Sequence, residues 1–369
     1  MKILIIGYTH PKFDKRVYRT IKSLSKVHEI IYQYWTNEDE KEYIDKNIKY
    51  IPIKDITETK GNPLKKLINR RPLDKKICNL VAEETYDILY MHHFLASRPL
   101  DPFKIAKKRN KKIVYDIHEY HPENFLAELE GIIGNLKVKT VWRFFKKQLD
   151  LSDLAIFVSE ETRNDVVNKT NIDKEKTYII PNYANFTIKP DIQKKSKEIV
   201  LVGKTSRKIE DEKKILKSLI EKDFSFKVIG MDSKEFTNIT HEYTNFLPYE
   251  EMMEELAKAL FSLISYNEGK NKYNNNFKFA LPHKFYDSLA AGTPVIVKES
   301  FVSMAKQVEN LGLGVVIDPS KVEKSVEKIT NAYKNYEKII KNVEKHQKEF
   351  IWNEEKERNF LNLISHITT

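Results

Sequence analysis

The feature that most constrains this chain is an alternation, repeated in two series, of short β-branched runs with longer stretches of helical spacing. Runs such as residues 3–6 (ILII) and 154–158 (LAIFV) lack polar/apolar alternation, which marks strands buried on both faces of a parallel sheet. The first series predicts strands at 3–6, 29–34, 48–53, 88–91, 112–116, 154–158 and 177–180. Between the first two, Val17, Ile21 and Leu24 repeat at four and three residues, as a helix lying on a sheet requires. A second series predicts strands at 199–202, 226–229, 244–246, 260–265, 294–297 and 314–317, followed by helical stretches at 322–346 and 350–367. The pattern breaks at Pro181-Asn182 and passes through the polar stretch 189–197 (KPDIQKKSK), which reads as a linker. The expected class is therefore α/β, with two doubly wound sheets and no internal repeat beyond two halves of one architecture.

With 369 residues the chain is long enough for about two domains of ordinary size. Its 64 basic and 53 acidic side chains leave a net charge of +11, which invites a nucleic-acid or anionic-membrane partner. The excess is uneven: residues 1–190 hold 35 basic and 26 acidic side chains, the remainder 29 and 27. Cations scattered over several elements, with no recognisable nucleic-acid module, argue against nucleic acid. The single Cys78 cannot form an intrachain disulfide, so the cytoplasm is the simplest assignment. No uncharged run approaches the ~20 residues of a membrane span, so any membrane contact would be peripheral.

Open α/β domains bind ligands at the carboxyl ends of their strands, which directs attention to four constellations. Gly203 directly follows strand 199–202, with Lys204, Arg207 and Lys208 next and a helix starting near Glu210. Backbone can approach a ligand at glycine, and cations beside a helix N-terminus suit a diphosphate; a solvated basic turn is the plainer reading. No GxGxxG motif follows any first strand, which disfavours a nicotinamide dinucleotide. A short helix opens at Pro282 and closes at Gly292, carrying Lys284 and Asp287 on one face. Those two are either a surface ion pair or a phosphate-facing cation and an acid that accepts from a ribose diol. His118 lies just beyond strand 112–116, and His92 and His93 end the preceding strand, which predicts three imidazoles gathered near one edge. His118-x-x-His121 is a weak metal-type spacing, and we expect no metal. Basic clusters at 65–76, 104–112 and 136–149 all lie in the first half. In the last, Trp142, Phe144 and Phe145 suit either burial on the sheet or contact with anionic lipid. The Asn-rich stretch 269–278 predicts a mobile loop placed as a lid would be.

In order along the chain, several stretches resemble the retaining glycosyltransferases of the GT-B fold, of the family 4 or group 1 type. They are Gly7, Asp14 to Arg19, Val114 to Glu119, Ser152-Asp153-Leu154, Ile180-Pro181-Asn182 and, most specifically, Leu281 to Asp287 with Ala290 to Ile296. Two positions depart from that family. Phe279 stands where a first glutamate is usual, Glu268 being a displaced substitute, and Ile209 stands where a second phosphate-binding lysine would fall, so that role passes to Lys208.

The resemblance implies two Rossmann-like domains facing across a cleft: 1–185 for the acceptor, 186–350 for the nucleotide-sugar, and a helix over 351–369 returning to the first. It further implies a hexosyltransferase using a nucleotide-sugar, UDP-sugar favoured, without a metal or other cofactor and with retention. His118 would contact the donor sugar, and Gly203, Lys204, Arg207, Lys208, Lys284 and Asp287 would bind the donor. The acceptor would be a glycan or a lipid-linked sugar in envelope polysaccharide synthesis. The protein would then be cytoplasmic, peripheral at the inner membrane face through its basic first half. An inactive GT-B subunit that binds glycan or stabilises a partner is the alternative.

Overall fold

The computed structural model describes residues 1–54, 63–92, 100–120, 131–203, 209–230, 236–265 and 275–367. The chain forms two units: Met1–Ile180 together with Glu354–Thr369, and Pro181–Asn353.

In the first unit the elements run β1 (Lys2–Pro11), α1 (Lys15–Leu24), β2 (Glu29–Thr36), β3 (Tyr43–Asp45), β4 (Ile48–Lys54), α2 (Pro63–Glu83), β5 (Ile88–His92), α3 (Pro102–Lys108), β6 (Lys112–Ile117), α4 (Gly131–Leu151), β7 (Leu154–Phe157), α5 (Glu160–Thr170) and β8 (Thr177–Ile179). They build an eight-stranded sheet in the order β3-β4-β2-β1-β5-β6-β7-β8, parallel except for β3 on β4. Each expected strand is present. The central ones are covered on both faces, with Ile3 to Ile6, Ile88 to Met91 and Ile113 to Tyr115 wholly buried, and each such side chain contributes roughly 1.5–3 kcal/mol. The aromatics of α4 are explained by this packing. Phe144 and Phe145 are buried, and Phe145 lies edge-on to both Tyr115 and Trp142. Leu136, Lys139 and Arg143 are exposed.

The second unit runs β9 (Ser196–Val202), α6 (Glu210–Ile220), β10 (Ser225–Ile229), β11 (Glu242–Thr244), α7 (Tyr249–Lys258), β12 (Ala259–Ile264), α8 (Asn275–Lys278), α9 (His283–Ala290), β13 (Val295–Lys298), α10 (Val302–Leu311), β14 (Gly314–Ile317), α11 (Val322–Lys334) and α12 (Tyr336–His346). Its six strands are parallel in the order β11-β10-β9-β12-β13-β14. The stretch 189–197 lies inside this unit, where Lys195 donates to the Gly292 carbonyl (2.9 Å) and Thr293 Oγ1 (2.8 Å). The expected single helix over 322–346 is broken at Asn335 into α11 and α12. β11 lies two residues before the strand expected at 244–246. The helix α13 (Glu354–His366) belongs to the first unit, where Glu357 accepts from Ser23 Oγ at 2.8 Å and pairs with Lys26, and Phe360 meets Tyr90 edge-on.

Candidate functional site

In the first unit the strand ends carry a closed polar network. Gly7 is required by close approach, since a Cβ there would stand 2.8 Å from the Gln33 carbonyl oxygen. At the next residue the backbone enters the left-handed region (Tyr8, φ 57), a conformation that must be held by its surroundings. The buried Gln33 side chain holds it, accepting from the Tyr8 amide at 2.8 Å and donating to its carbonyl at 3.1 Å. The kink carries the chain to His10, whose Nδ1 lies 3.1 Å from Asp14 Oδ2, while Asp14 Oδ1 caps α1 by accepting from the amides of Arg16 and Val17.

Arg16 and Asp116 form a buried ion pair at 2.6 Å, with side chains 2% exposed. Arg16 also donates to the Ile180 carbonyl at 2.6 Å, and Tyr90 donates to Asp116 Oδ2 at 3.1 Å. One guanidinium thus ties the starts of α1 and the ends of β6 and β8 together, and its Asp116 partner sits two residues before His118. His92 Nδ1 lies 2.8 Å from His118 Nε2 and 3.4 Å from Asp116 Oδ2. Burial pushes the His92 imidazole down to about 3, so the ring is neutral. Its Nε2 is buried and has no hydrogen-bond partner among the described residues. Placing the proton on Nδ1 avoids stranding a buried N–H at Nε2, so His92 donates and His118 accepts at Nε2. That assigns the proton of the His118 ring to Nδ1. The His10 ring lies 4.8 Å from that of His118.

Among the described residues, His92, Asp116 and His118 bring three ligand-type atoms within 4.8 Å of one another. The chemistry fits a hydrogen-bonded cluster better than an ion. Asp116 is already neutralised by Arg16, and the 2.8 Å between the two imidazole nitrogens is a hydrogen bond. Two ligand nitrogens on tetrahedral zinc would stand roughly 3.3 Å apart. His93 and His121 lie outside the described residues.

In the second unit, Gly203 follows β9, its amide donating to the Ile229 carbonyl at 3.0 Å. Gly230 (φ 80) passes so close that a Cβ would stand 2.9 Å from the Gly203 oxygen. Lys204, Arg207, Lys208 and Glu268 lie outside the described residues, as do 269–274 of the Asn-rich stretch; Asn275–Lys278 is the helix α8. The helix α9 starts after Pro282 without a side-chain cap, and Gly292 (φ 73) follows its end in the left-handed conformation. Lys284 and Asp287 reach different elements. Lys284 donates to the Ser265 carbonyl at the end of β12 (3.1 Å), whereas Asp287, 4% exposed, accepts from the Tyr249 hydroxyl at 2.8 Å. Burial, and then that carboxylate, raise the Tyr249 phenol well above its ordinary value.

Beneath them, Glu212 on α6 accepts from the Ser265 hydroxyl and pairs with Lys298 at 3.2 Å, all three residues being buried. Sequence reasoning missed this trio and the Arg16–Asp116 pair. A signal existed for both: Asp116 interrupts an apolar strand, and Glu212 shares a helical face with Ile215, Leu216 and Leu219. A charge in such a place needs a partner.

Residues 16–186 match the family described as Glycosyltransferase Family 4, and residues 199–352 match the family described as Glucosyltransferase 3-like, C-terminal domain. This chain is a GT-B-fold glycosyltransferase. No curated protein matches its sequence. Solved structures similar to this glycosyltransferase include sucrose-phosphate synthase from Thermosynechococcus elongatus, at 12% identity and a TM-score of 0.70, covering 100% of this chain and 99% of that one. Anabaena Alr3699/HepE in complex with UDP follows at 13% and 0.65, covering 99% and 100%. WaaG, a glycosyltransferase involved in lipopolysaccharide biosynthesis, follows at 10% and 0.66, covering 98% and 99%. At these identities the likeness is one of fold, two Rossmann-like domains. The reaction of this glycosyltransferase is transfer of a sugar from a nucleoside-diphosphate donor to an acceptor.

Proposed function

We propose that the donor is a UDP-sugar held by the second unit, that the acceptor is a glycan or lipid-linked sugar held by the first, and that the anomeric configuration is retained. The observation that carries the donor half is the meeting of the uncapped start of α9 with the Lys284 ammonium at the carboxyl end of β12, a positive dipole end beside a cation where open α/β sheets bind ligands. The UDP in the similar Anabaena structure supports the choice of nucleotide.

In this reading Gly203 lets backbone approach the diphosphate, and Lys204, Arg207, Lys208 and Lys284 offset the charge that grows on it as the glycosidic bond breaks, without a metal. Asp287 orders the ribose side through α9. The acceptor hydroxyl attacks the anomeric carbon from the face the diphosphate leaves, and its proton passes to the leaving phosphate oxygen. His118, fixed in one tautomer by His92, contacts the sugar in transfer.

No helix among the described residues is long and apolar enough to cross a membrane. A cytoplasmic enzyme of envelope polysaccharide synthesis, peripheral at the membrane through its basic first half, accords with the +9 of residues 1–190 and with the lipopolysaccharide role of WaaG.

A thermal-shift panel of UDP, GDP, ADP and their sugars tests the donor. A ligand at about 100 times its Kd adds ~2.7 kcal/mol to folded stability. UDP-sugar turnover that falls sharply in His118→Ala and Lys204→Ala supports the assignment; wild-type turnover in both removes it. One observation favours the second reading, an inactive binding subunit: Phe279, half-buried with Lys278 over its ring at 5.3 Å, occupies the place of an acid. Nucleotide binding without turnover of any sugar would select it.

A further inference from the structure

Two residues beyond His10, the chain places a lysine inside an aromatic enclosure. The Lys12 ammonium lies 4.9 Å from the ring centre of Phe13, 5.0 Å from Tyr43, 5.2 Å from Tyr50 and 5.9 Å from Tyr34. Among the described residues its Nζ has no hydrogen bond or ion pair. Glu40 feels the charge of Lys12 at longer range, while its carboxylate accepts from the Tyr34 hydroxyl at 2.7 Å. Rings attract the cation by their quadrupoles but take none of its three N–H donors. A half-buried ammonium held in one place with its donors unspent is a receptor for an anion.

The enclosure is rigid. Tyr43 stacks on Tyr50 at 4.6 Å and 7° across the β3–β4 pairing, and the Lys12 carbonyl accepts from Tyr32 at 3.1 Å. The left-handed turn at Tyr8 fixes the same loop from the other side. Beside the cation, Phe13 is 65% exposed, with Tyr18 edge-on at 5.0 Å and the Lys12 ammonium over its ring, and Tyr43 is exposed too. A large ring left in water at the end of β1 offers the flat apolar face on which the C–H side of a pyranose stacks. The chain between His10 and Lys12 spans at most roughly 7 Å, and the His10 ring lies 4.8 Å from that of His118, tilted by 47°. The patch therefore continues from the candidate site.

We propose that Phe13, Tyr43 and Lys12 form a seat for an anionic sugar of the acceptor, the ring face on the aromatics and its phosphate or carboxylate on the Lys12 ammonium. This rests on the reading of the first unit as the acceptor side. The test uses the full chain with UDP present, titrated with methyl glucoside, methyl glucuronide and glucose 6-phosphate and followed by saturation-transfer NMR. At least one anionic sugar is expected to bind about tenfold more tightly than methyl glucoside, as a charge-assisted contact provides. Lys12→Met should remove that preference, Lys12→Arg should keep it, and Phe13→Ala should weaken all three sugars about fivefold. The stronger of glucuronide and phosphate identifies the source of the charge. Equal affinity for charged and neutral sugars, no binding of any of the three, or a preference that survives Lys12→Met overturns the seat. A parallel UDP titration separates the two failures: absence of UDP binding strikes at the donor reading, whereas UDP binding without anion preference strikes at the seat alone.

Discussion

The strand ends of the two units handle buried charge in opposite ways. In the first, Arg16, Asp116, Tyr90 and His92 meet in one buried cluster, and the network reaches outward through His118, 10% exposed. In the second, the Glu212–Lys298 pair lies below while Lys284, half-buried at the start of α9, donates to the Ser265 carbonyl. The first arrangement orients an imidazole; the second sets a cation beside a helix start. A histidine that must meet a sugar gains from fixed geometry, whereas a diphosphate is held by charge, which tolerates looser geometry.

The largest expected effect breaks the first arrangement. Asp116→Ala leaves the Arg16 guanidinium buried and uncompensated, which costs about 3–5 kcal/mol. Urea unfolding should show that loss, and hydrogen exchange should place it in the first unit. Little change in stability would mean that the pair does not organise this end of the sheet. Next in size is His118→Ala, which keeps the fold and lowers transfer by about a hundredfold or more, the scale of a positioned polar group at a reacting centre. A steady-state assay with UDP affinity measured beside it checks this. A fall in affinity with turnover intact would move His118 out of the reaction.

How far this contrast was legible in the sequence depends on what each element rests on. Strands buried on both faces announce themselves, so β1, β5, β6 and β7 were readable as apolar runs. β3 was not: Tyr43, Ile44 and Asp45 are all exposed in a charged segment, and the strand exists because Tyr43 stacks on Tyr50. Neither was the break at Asn335, where the helical spacing continues through the gap. His118 could be picked from its place after β6, because a strand's carboxyl end is a local property. Its nearness to His92 was readable too, since both end successive strands, but the hydrogen bond between them depends on β5 and β6 being neighbours. Arg16 and Asp116 are separated by 100 residues, so their attraction has no local trace beyond one acid in an apolar strand. Lys284 and Asp287 were correctly placed on one short helix, but which neighbour each side chain meets is decided by β12 and α7.

Acidity offers a smaller and more selective probe. The His92 pKa is lowered by burial to about 3, against about 6.5 in the unfolded chain. Between those values the unfolded state binds a proton that the folded state refuses, so stability is full above pH ~6.5 and declines as pH falls toward 3. A loss of about 2 kcal/mol is expected in the first unit by pH ~5. In the second, burial lowers the Lys195 ammonium to about 7, so between pH ~7 and ~10.5 the unfolded state again binds the extra proton and stability rises with pH. Hydrogen exchange followed with pH should therefore show the first unit yielding first in mild acid. His92→Gln should abolish that acid sensitivity. Retained sensitivity would assign it to other groups.

The smallest effect tests the second arrangement. If charge rather than fixed geometry holds the diphosphate, Lys284→Arg should keep UDP affinity within about twofold, while Lys284→Met should weaken it about fivefold, near 1 kcal/mol. The loss in Lys284→Met should shrink as salt rises, because a partly exposed charge is screened. An equal loss in Arg and Met would mean that Lys284 acts through its fit against Ser265. The second unit would then work by positioning, as the first does, and the contrast between the two would disappear.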